Sequence, residues 1–349
     1  MNPNPEKLQP LLINVINDMG AAANAALVIV GEQLGLYRAL ADHGPATADE
    51  LARATGTHER YVREWVSAQA ASGLVTYDAA AARFSLSPEQ AAVFADEQGE
   101  FYMAGGFQPF AAVFENLPRL AGAFRTGEGI GWGEHCSCLF CGTARFYRTG
   151  YNANLLANWL PALDGVAATL DAGVKVADIG CGHGVSTLIM ADAFPNSEFI
   201  GFDVHPASIE HARASVGERA NVRFEVARAQ DYPGSDYGFA TMFDAFHDMG
   251  DPAGAAAHVR ETLRGDGVLM LVEPLAGDDL ADNLNPIGRL FYAMSTNICV
   301  PTALSQEVGA ALGAQAGEQR LTEALNEGGF GRVRRAAETP FNMVLEARV

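Results

Sequence analysis

A glycine-rich turn between an apolar strand and a helix constrains the fold of this chain more than any other stretch. Residues 176–179 predict a buried strand, residues 180–184 form a Gly-x-Gly-x-Gly turn, and residues 185–194 have a helical pattern. A second apolar strand follows and ends on Asp203. Glycines let the backbone pass close to a ligand, and an acid at a strand tip can accept both hydroxyls of a ribose. The pattern therefore predicts a nucleoside site at the carboxyl edge of a parallel sheet.

The spacing of the glycines indicates which kind of nucleoside this site would bind. The dinucleotide fingerprint places two residues between its second and third glycines, whereas His183 alone separates Gly182 from Gly184. The stretch instead resembles motif I of the class I S-adenosylmethionine-dependent methyltransferases. A structural Rossmann half that binds no nucleoside is the alternative interpretation.

The resemblance implies a cofactor, S-adenosyl-L-methionine, and the residues that contact it. In that family the acid matching Asp178 and the backbone at Gly180 lie beside the amino group of the methionine moiety, and Asp203 matches the ribose-binding acid. Residues 229–230 follow the third strand, where methyltransferases hold the adenine. The expected cofactor contacts are Asp178, Gly180, Cys181, Gly182, Asp203, Val204, Ala229, Gln230 and Phe243.

The order of the predicted elements indicates an α/β fold. Strands alternate with helices over most of the second half of the chain, residues 277–317 interrupt the alternation as an insertion, and two final strands resemble the antiparallel pair that closes methyltransferase sheets. We expect a Rossmann-like methyltransferase domain over residues 161–349, with a parallel sheet and an antiparallel terminal strand. A mainly α winged-helix domain over residues 1–110 and a helical and loop connector over residues 111–160 precede it.

The winged helix is predicted from two helices and two short strands. Residues 47–56 form a capped helix that ends at a glycine, and residues 57–72 form a second helix. The expected buried face of that second helix is Tyr61, Trp65, Ala68 and Ala71. The arrangement resembles the amino-terminal domain of many small-molecule methyltransferases, where it makes the dimer. We therefore expect a homodimer through residues 8–40 and the winged helix. A ligand-sensing transcriptional regulator that recognises DNA through residues 57–72 is the alternative.

The composition disfavours several classes of partner. A net charge of −19 argues against nucleic acid, whose phosphates attract Lys and Arg, and against an anionic membrane surface. The start of the chain lacks the form of a signal peptide, and no apolar run approaches a membrane span, with residues 15–40 coming nearest. Five cysteines without a secretory signal suggest reduced thiols. We expect a cytoplasmic protein without a nucleic-acid or membrane partner.

Residues 127–151 have the composition of a loop, and they contain a cluster of cysteines. The cluster consists of His135, Cys136, Cys138 and Cys141. Three thiols and an imidazole could hold a soft metal or metalloid, but their spacing differs from that of the usual zinc pairs. We expect free cysteines in a lid loop and no metal. Methyl transfer to nitrogen, to sulfur or to a metalloid held by the three cysteines is the alternative function.

Two further strand ends carry side chains suited to acid–base chemistry. His247 follows the fourth strand and Glu273 ends the fifth, and an imidazole can deprotonate a hydroxyl near neutral pH. Residues 247–249, His-Asp-Met, resemble the His-Asp-Trp stretch of small-molecule O-methyltransferases, whose His is the base. We expect O-methylation with His247 as general base and Glu273 as the residue that orients it. Local capping or hydrogen bonding by His247 is the alternative.

The methyl acceptor is expected to be a small, largely apolar molecule. Aromatic residues concentrate between the two domains, where pockets tend to form, and the insertion adds further side chains over the strand ends. The expected acceptor contacts are Phe107, Tyr292 and Asn297. Taken over its whole length, the chain resembles actinobacterial-type class I methyltransferases that place a winged helix before the methyltransferase domain.

Overall fold

The computed structural model describes residues 3–349, which form two compact units. The first unit runs to Ala111 and includes Arg145–Thr149. The second unit consists of Ala112–Ala144 and Gly150–Val349.

The first unit contains the predicted pair of helices and a two-stranded wing. Its elements are α1 (Pro5–Gln33), α2 (Leu36–His43), α3 (Ala48–Thr55), α4 (Glu59–Ala71), β1 (Thr76–Asp78), β2 (Arg83–Ser85), α5 (Pro88–Phe94) and the start of α6 (Pro109–Glu115). Helix α3 begins where Thr47 and Glu50 cap each other: the Glu50 amide donates to Thr47 Oγ1, and the Thr47 amide donates to the Glu50 carboxylate. Strands β1 and β2 pair antiparallel and form the wing.

The buried face of α4 differs from the predicted one. Its buried residues are Val62, Trp65, Val66 and Gln69. Tyr61 is 79% exposed and Ala71 is also exposed, so the predicted burial of both is wrong, whereas that of Trp65 is confirmed. Two polar contacts fix this rotation of the helix, because Trp65 Nε1 donates to the Leu27 carbonyl and the Tyr37 hydroxyl donates to Gln69. A buried Gln with a partner is tolerated where an unpaired one would cost free energy.

Helix α1 carries a long apolar surface that the unit does not cover. Its exposed apolar residues are Leu8, Leu11, Leu12, Ile13, Val15, Ile16, Met19 and Val30. Of the helices within residues 3–349, it is the one that is long and apolar enough to cross a membrane by length and composition, which is weak evidence on its own. The prediction that no apolar run approaches a span is wrong, because α1 is apolar enough over its length despite the polar residues 17–18 and 24.

The second unit is built on a seven-stranded sheet with the order β5-β4-β3-β6-β7-β9-β8. Its strands are β3 (Lys175–Ile179), β4 (Glu198–Asp203), β5 (Val222–Val226), β6 (Tyr237–Phe243), β7 (Leu263–Pro274), β8 (Arg332–Glu338) and β9 (Asn342–Arg348). Strands β3 to β7 are parallel, and β9 runs antiparallel to both β7 and β8. The predicted fold class, a Rossmann-like sheet preceded by a winged helix, is confirmed.

The remaining helices belong to the second unit, apart from Arg145–Thr149 of α8, and three of them lie after β7. They are α7 (Leu117–Thr126), α8 (Ser137–Asn154), α9 (Val166–Ala172), α10 (Val185–Ala193), α11 (Pro206–Ala214), α12 (Pro252–Thr262), α13 (Pro286–Met294), α14 (Val300–Leu304) and α15 (Gly317–Glu327). A π-helical turn, Ser295–Cys299, joins α13 to α14. The strand order reverses between β3 and β6, and ligands of open α/β sheets bind beside such a switch point.

The cysteine-containing segment is helical where a loop was predicted. Cys136 is the N-cap of α8, so residues from Ser137 onward belong to the helix. Cys136 and Cys138 form a disulfide, which corrects the expectation of free thiols at these two positions, whereas Cys141 is free. Their Cα atoms lie 5.3 Å apart, within the range that a disulfide can bridge. The start of the helix brings the two residues to this separation.

Candidate functional site

Asp178 lies at the carboxyl end of β3 and is held by three hydroxyl groups. Ser186 and Thr187 of α10 donate to its Oδ2 at 2.9 and 2.6 Å, and Thr241 of β6 donates to its Oδ1 at 2.9 Å. Thr241 is the residue paired with Asp178 in the parallel register of β3 and β6. Burial raises the pKa of Asp178 to about 6, and the three hydrogen bonds limit this rise. The carboxylate is therefore fixed in place and ionised at neutral pH.

The glycine turn after β3 is bonded to the end of β4. The Gly182 amide donates to Asp203 Oδ2 at 2.8 Å, and the Gly180 amide donates to the Phe202 carbonyl at 2.8 Å. Gly180, Gly182 and Gly184 all have positive φ, which side chains rarely allow. The turn and the acid predicted to bind a ribose thus form one hydrogen-bonded unit.

The surroundings of Asp203 are polar on one side and aromatic on the other. Its Oδ1 accepts the His205 amide at 2.8 Å, and burial raises the pKa of the carboxyl despite this hydrogen bond. The His205 ring lies 4.4 Å from the Phe140 ring of α8, measured between centroids. The start of α8 therefore contacts the segment that follows β4, next to the predicted nucleoside site.

The structure places the other predicted cofactor residues at the same edge of the sheet, with different exposures. Cys181 is buried and Val204 is exposed, although they follow neighbouring strands. The Gln230 side chain donates to the Asp251 carbonyl at 3.2 Å, which fixes its amide group. Phe243 ends β6 and packs against Tyr151 at 5.1 Å between ring centroids. Their roles in binding stay predictions.

His247 and Glu273 form a buried pair at the ends of β6 and β7. His247 Nδ1 hydrogen-bonds Glu273 Oε2, and the Phe246 amide donates to Glu273 Oε1 at 2.9 Å. Asp248, which sequence analysis did not select, places its Oδ1 3.1 Å from His247 Nε2. Burial lowers the pKa of His247, but Glu273 and Asp248 outweigh burial and raise it well above the ordinary value. The positively charged form of the imidazole is therefore favoured, because the ring lies between two carboxylates.

Asp244 is a further, half-buried acid that the sequence analysis missed. It accepts hydrogen bonds from the Tyr151 hydroxyl at 3.0 Å and from the Asn342 side chain at 2.7 Å. Burial and the nearby Glu273 raise its pKa well above the ordinary value. Its φ of +49° is unusual for a residue with a side chain, and such backbone conformations cluster at functional sites. Its position directly after β6 was the signal available in the sequence.

The predicted acceptor residues are distributed over both units. Tyr292 lies on α13, and Asn297 lies on the π-helical turn with its side chain bonded to the Ala293 carbonyl at 2.7 Å. Phe107 belongs to the first unit, where its ring lies 6.1 Å from that of Phe110. Acceptor contact by these three residues stays a prediction.

Two sequence families match the chain, one in each half. Residues 22–96 match the family described as Rv2258c-like winged HTH domain, and residues 170–329 match the family described as methyltransferase domain. The chain thus contains a winged helix-turn-helix domain followed by a methyltransferase domain, and the predicted resemblance is confirmed at this level.

Curated relatives match parts of the chain. Trans-aconitate 2-methyltransferase of Deinococcus radiodurans is 31% identical over 112 residues, which are 32% of this chain and 42% of that protein. Malonyl-acyl-carrier-protein O-methyltransferase of Acetivibrio thermocellus is 28% identical over 97 residues, or 28% of this chain and 34% of that protein. The chain spans less than half the length of these relatives in the matched regions.

Solved structures match nearly the whole chain. Human N-acetylserotonin methyltransferase, solved in complex with S-adenosylmethionine, has a TM-score of 0.72 and 14% identity, and the match covers 100% of this chain and 99% of that one. The mitomycin 7-O-methyltransferase MmcR has a TM-score of 0.66 and 19% identity, with 99% and 100% covered. At these identities the likeness shows a shared fold alone.

The hydrogen bonds around Asp178 generate a pH-dependent prediction. Thr241→Val removes one donor to a buried carboxylate, so we expect the free energy of unfolding to fall by about 1–3 kcal/mol at pH 7.5. The loss should shrink at pH 5, because a carboxyl with a pKa of about 6 is mostly neutral there and a neutral group gains less from the donor. Urea denaturation at both pH values measures the difference.

The matched control is Thr169→Val, because the Thr169 hydroxyl donates to a backbone carbonyl in a solvent-exposed hydrogen bond of α9. Its effect should be small and independent of pH. An equal loss for Thr241→Val at both pH values would contradict the assignment of an ionised Asp178.

Proposed function

We propose that the chain is an S-adenosylmethionine-dependent methyltransferase that methylates an oxygen atom of a small, largely apolar molecule. The observation that carries this proposal is the hydrogen bond between the Gly182 amide and Asp203, which assembles the turn and the acid at the switch point of the sheet. Structural neighbours of the same fold were solved with S-adenosylmethionine or S-adenosylhomocysteine bound.

The residues at this edge of the sheet fit the proposed cofactor. A Cβ on Gly182 would meet no atom within 4 Å, so the backbone is open to a ligand there, whereas a Cβ on Gly180 would lie 2.7 Å from Ala245. We assign the ribose hydroxyls to Asp203 and the amino group of the methionine moiety to Asp178 and the Gly180 backbone. Cys181, Gly182, Val204, Ala229, Gln230 and Phe243 complete the proposed contacts.

His247 is proposed to accept the proton of the acceptor hydroxyl. The cofactor supplies an electrophilic methyl group on a sulfonium, and much of the rate can come from positioning the nucleophile in line with it. Glu273 holds Nδ1 of the imidazole, so Nε2 becomes the proton acceptor after the cationic ring has lost its Nε2 proton and separated from Asp248. Tyr292 and Asn297 are proposed to contact the acceptor. A base matters most for a phenol or alcohol, so the pair favours O-methylation.

Two alternative functions, methyl transfer to a metalloid and DNA-binding transcriptional regulation, receive less support. Cys136 and Cys138 form a disulfide, so in this state they cannot bind a metalloid together with Cys141. In the winged helix, Arg53, Arg60 and Arg63 each pair with an acid one helical turn away. Since these acids neutralise the basic side chains, the helix presents little positive charge to DNA phosphates.

The exposed face of α1 is proposed to dock on a second copy of the chain, which makes a homodimer. Ile16 and Met19 are 65% and 68% exposed and lie one turn apart on the helix. A contiguous apolar surface of this kind marks an interaction site in a folded protein. A second copy offers the same apolar face, and a twofold interface is self-complementary.

The cofactor assignment is tested by calorimetry with S-adenosylhomocysteine. We expect the wild-type chain to bind the nucleoside and Asp203→Ala to bind it at least about tenfold more weakly, because the charge-assisted hydrogen bonds to the ribose are lost. Asp192→Ala serves as a matched control, since Asp192 is a surface acid paired with Arg219 on the exposed end of α10. Absence of binding by the wild-type chain would refute the proposal.

The role of His247 is tested by substitution. His247→Ala should lower kcat by roughly 10²–10⁴-fold, the usual contribution of a general base, while the affinity for S-adenosylhomocysteine stays nearly unchanged. Glu273→Gln should cost less, since Glu273 acts through the imidazole. Full activity of His247→Ala on the true acceptor would leave positioning alone as the source of catalysis.

The dimer is tested by sedimentation at micromolar concentration. The double substitution Ile16→Glu and Met19→Glu should give monomers, because it places charges within the proposed apolar interface. Leu284→Glu, at a position that is 74% exposed in the second unit, should leave the dimer intact. A monomeric wild-type chain would refute this assembly.

A further inference from the structure

A cluster of three donor atoms lies beside the His247–Glu273 pair. Cys299 ends the π-helical turn between α13 and α14, and its sulfur lies within 4.8 Å of a ring nitrogen of His247 and of a carboxylate oxygen of Asp248. Glu273 engages Nδ1, so Nε2 is the ring nitrogen that faces the other two groups. A π-helical turn is uncommon and often occurs at a functional site.

Two of the three groups are buried and Asp248 is half-buried, with one oxygen that accepts no hydrogen bond. His247 and Cys299 are 3% and 8% exposed. Asp248 Oδ1 is buried and accepts no hydrogen bond, and its ionic partner is His247 Nε2, 3.1 Å away. Buried carboxylate oxygens in folded proteins almost always have a hydrogen-bond partner. When His247 loses its Nε2 proton, this oxygen loses its ionic partner too, and a metal cation between the three groups would replace it.

The donor set fits a divalent cation that prefers mixed nitrogen, sulfur and oxygen ligands, and so does the distance between its nitrogen and its oxygen. Zinc binds imidazole and carboxylate at about 2.0–2.1 Å in tetrahedral sites, which places two such ligand atoms roughly 3.3 Å apart. The observed separation of 3.1 Å between Nε2 and Oδ1 is close to this value. Glu273 hydrogen-bonds the other ring nitrogen, Nδ1, and a carboxylate in that position commonly orients a metal-binding imidazole.

We propose that His247 Nε2, Asp248 Oδ1 and Cys299 Sγ form a binding site for a divalent cation of the zinc class. On binding, Cys299 releases its thiol proton, His247 releases the proton on Nε2, and both protons pass to solvent without any redox change. Three protein ligands leave the fourth tetrahedral position open. A bound cation uses the Nε2 lone pair, so His247 cannot hold the metal and accept a proton at the same time. The site itself does not depend on the proposed function.

The site is tested with cobalt, which reports its ligands by absorption. All proteins carry Cys136→Ser and Cys138→Ser, because these two cysteines and Glu115 form another group of donor atoms within the described chain. In this background we expect one equivalent of Co²⁺ to bind with a thiolate-to-cobalt charge-transfer band and to be displaced by Zn²⁺. Adding Cys299→Ser should abolish the band and weaken Zn²⁺ binding, measured against a chromophoric chelator, by about 100-fold or more, beyond what loss of a supporting residue costs.

Cys141→Ser in the same background is the matched control, since Cys141 is a free cysteine of α8 outside the proposed site and should leave the band unchanged. Asp248→Asn is a second test in case Cys299→Ser fails to fold, and it should weaken Zn²⁺ binding while retaining the thiolate band at saturating Co²⁺. No thiolate band in the background protein, or a band that survives Cys299→Ser, would overturn the proposal. The readout needs neither cofactor nor acceptor, so its failure is distinguishable from failure of the methyltransferase assignment.

Discussion

The candidate site depends on the hydrogen bond between the Gly182 amide and Asp203. It links the turn after β3 to the end of β4, and it forms because Gly180, Gly182 and Gly184 adopt positive φ. A side chain at Gly184 would also collide with Phe224, at 2.4 Å from the ring. The turn therefore needs glycine for its backbone angles and for its close packing on Phe224 of β5. Asp178, fixed by three hydroxyls, completes the same edge of the sheet.

At the ends of β6 and β7, burial and nearby charges have opposite effects on the pKa of His247. Burial disfavours a charged imidazole, but Glu273 and Asp248 lie on opposite sides of His247 and stabilise its cation. Phe243 pairs with Val272 in the parallel register of β6 and β7, so the residues that follow these two strands emerge side by side. The sheet thus determines which acid reaches the imidazole. The two proposals for His247, as proton acceptor and as metal ligand, both use the nitrogen that Glu273 leaves available.

The site residues that could be predicted from the sequence were those that follow a recognisable local pattern. Asp178, Asp203, His247 and Glu273 each follow or end an apolar strand, and parallel strands bring such residues to one edge. The rotation of α4 was missed because it depends on hydrogen bonds from Trp65 and Gln69 to distant residues. Cys299 was missed because it is separated from His247 by about fifty residues and sits in an irregular turn. No periodic pattern in the sequence predicts that these two residues lie close together.

A crystal structure of the complex with S-adenosylhomocysteine tests the central claim most directly. The account predicts the ribose hydroxyls on Asp203, the amino group beside Asp178 and Gly180, and the sulfur directed toward His247. A nucleoside bound away from the turn at residues 180–184, or bound there with Asp203 making no contact to the ribose, would contradict it.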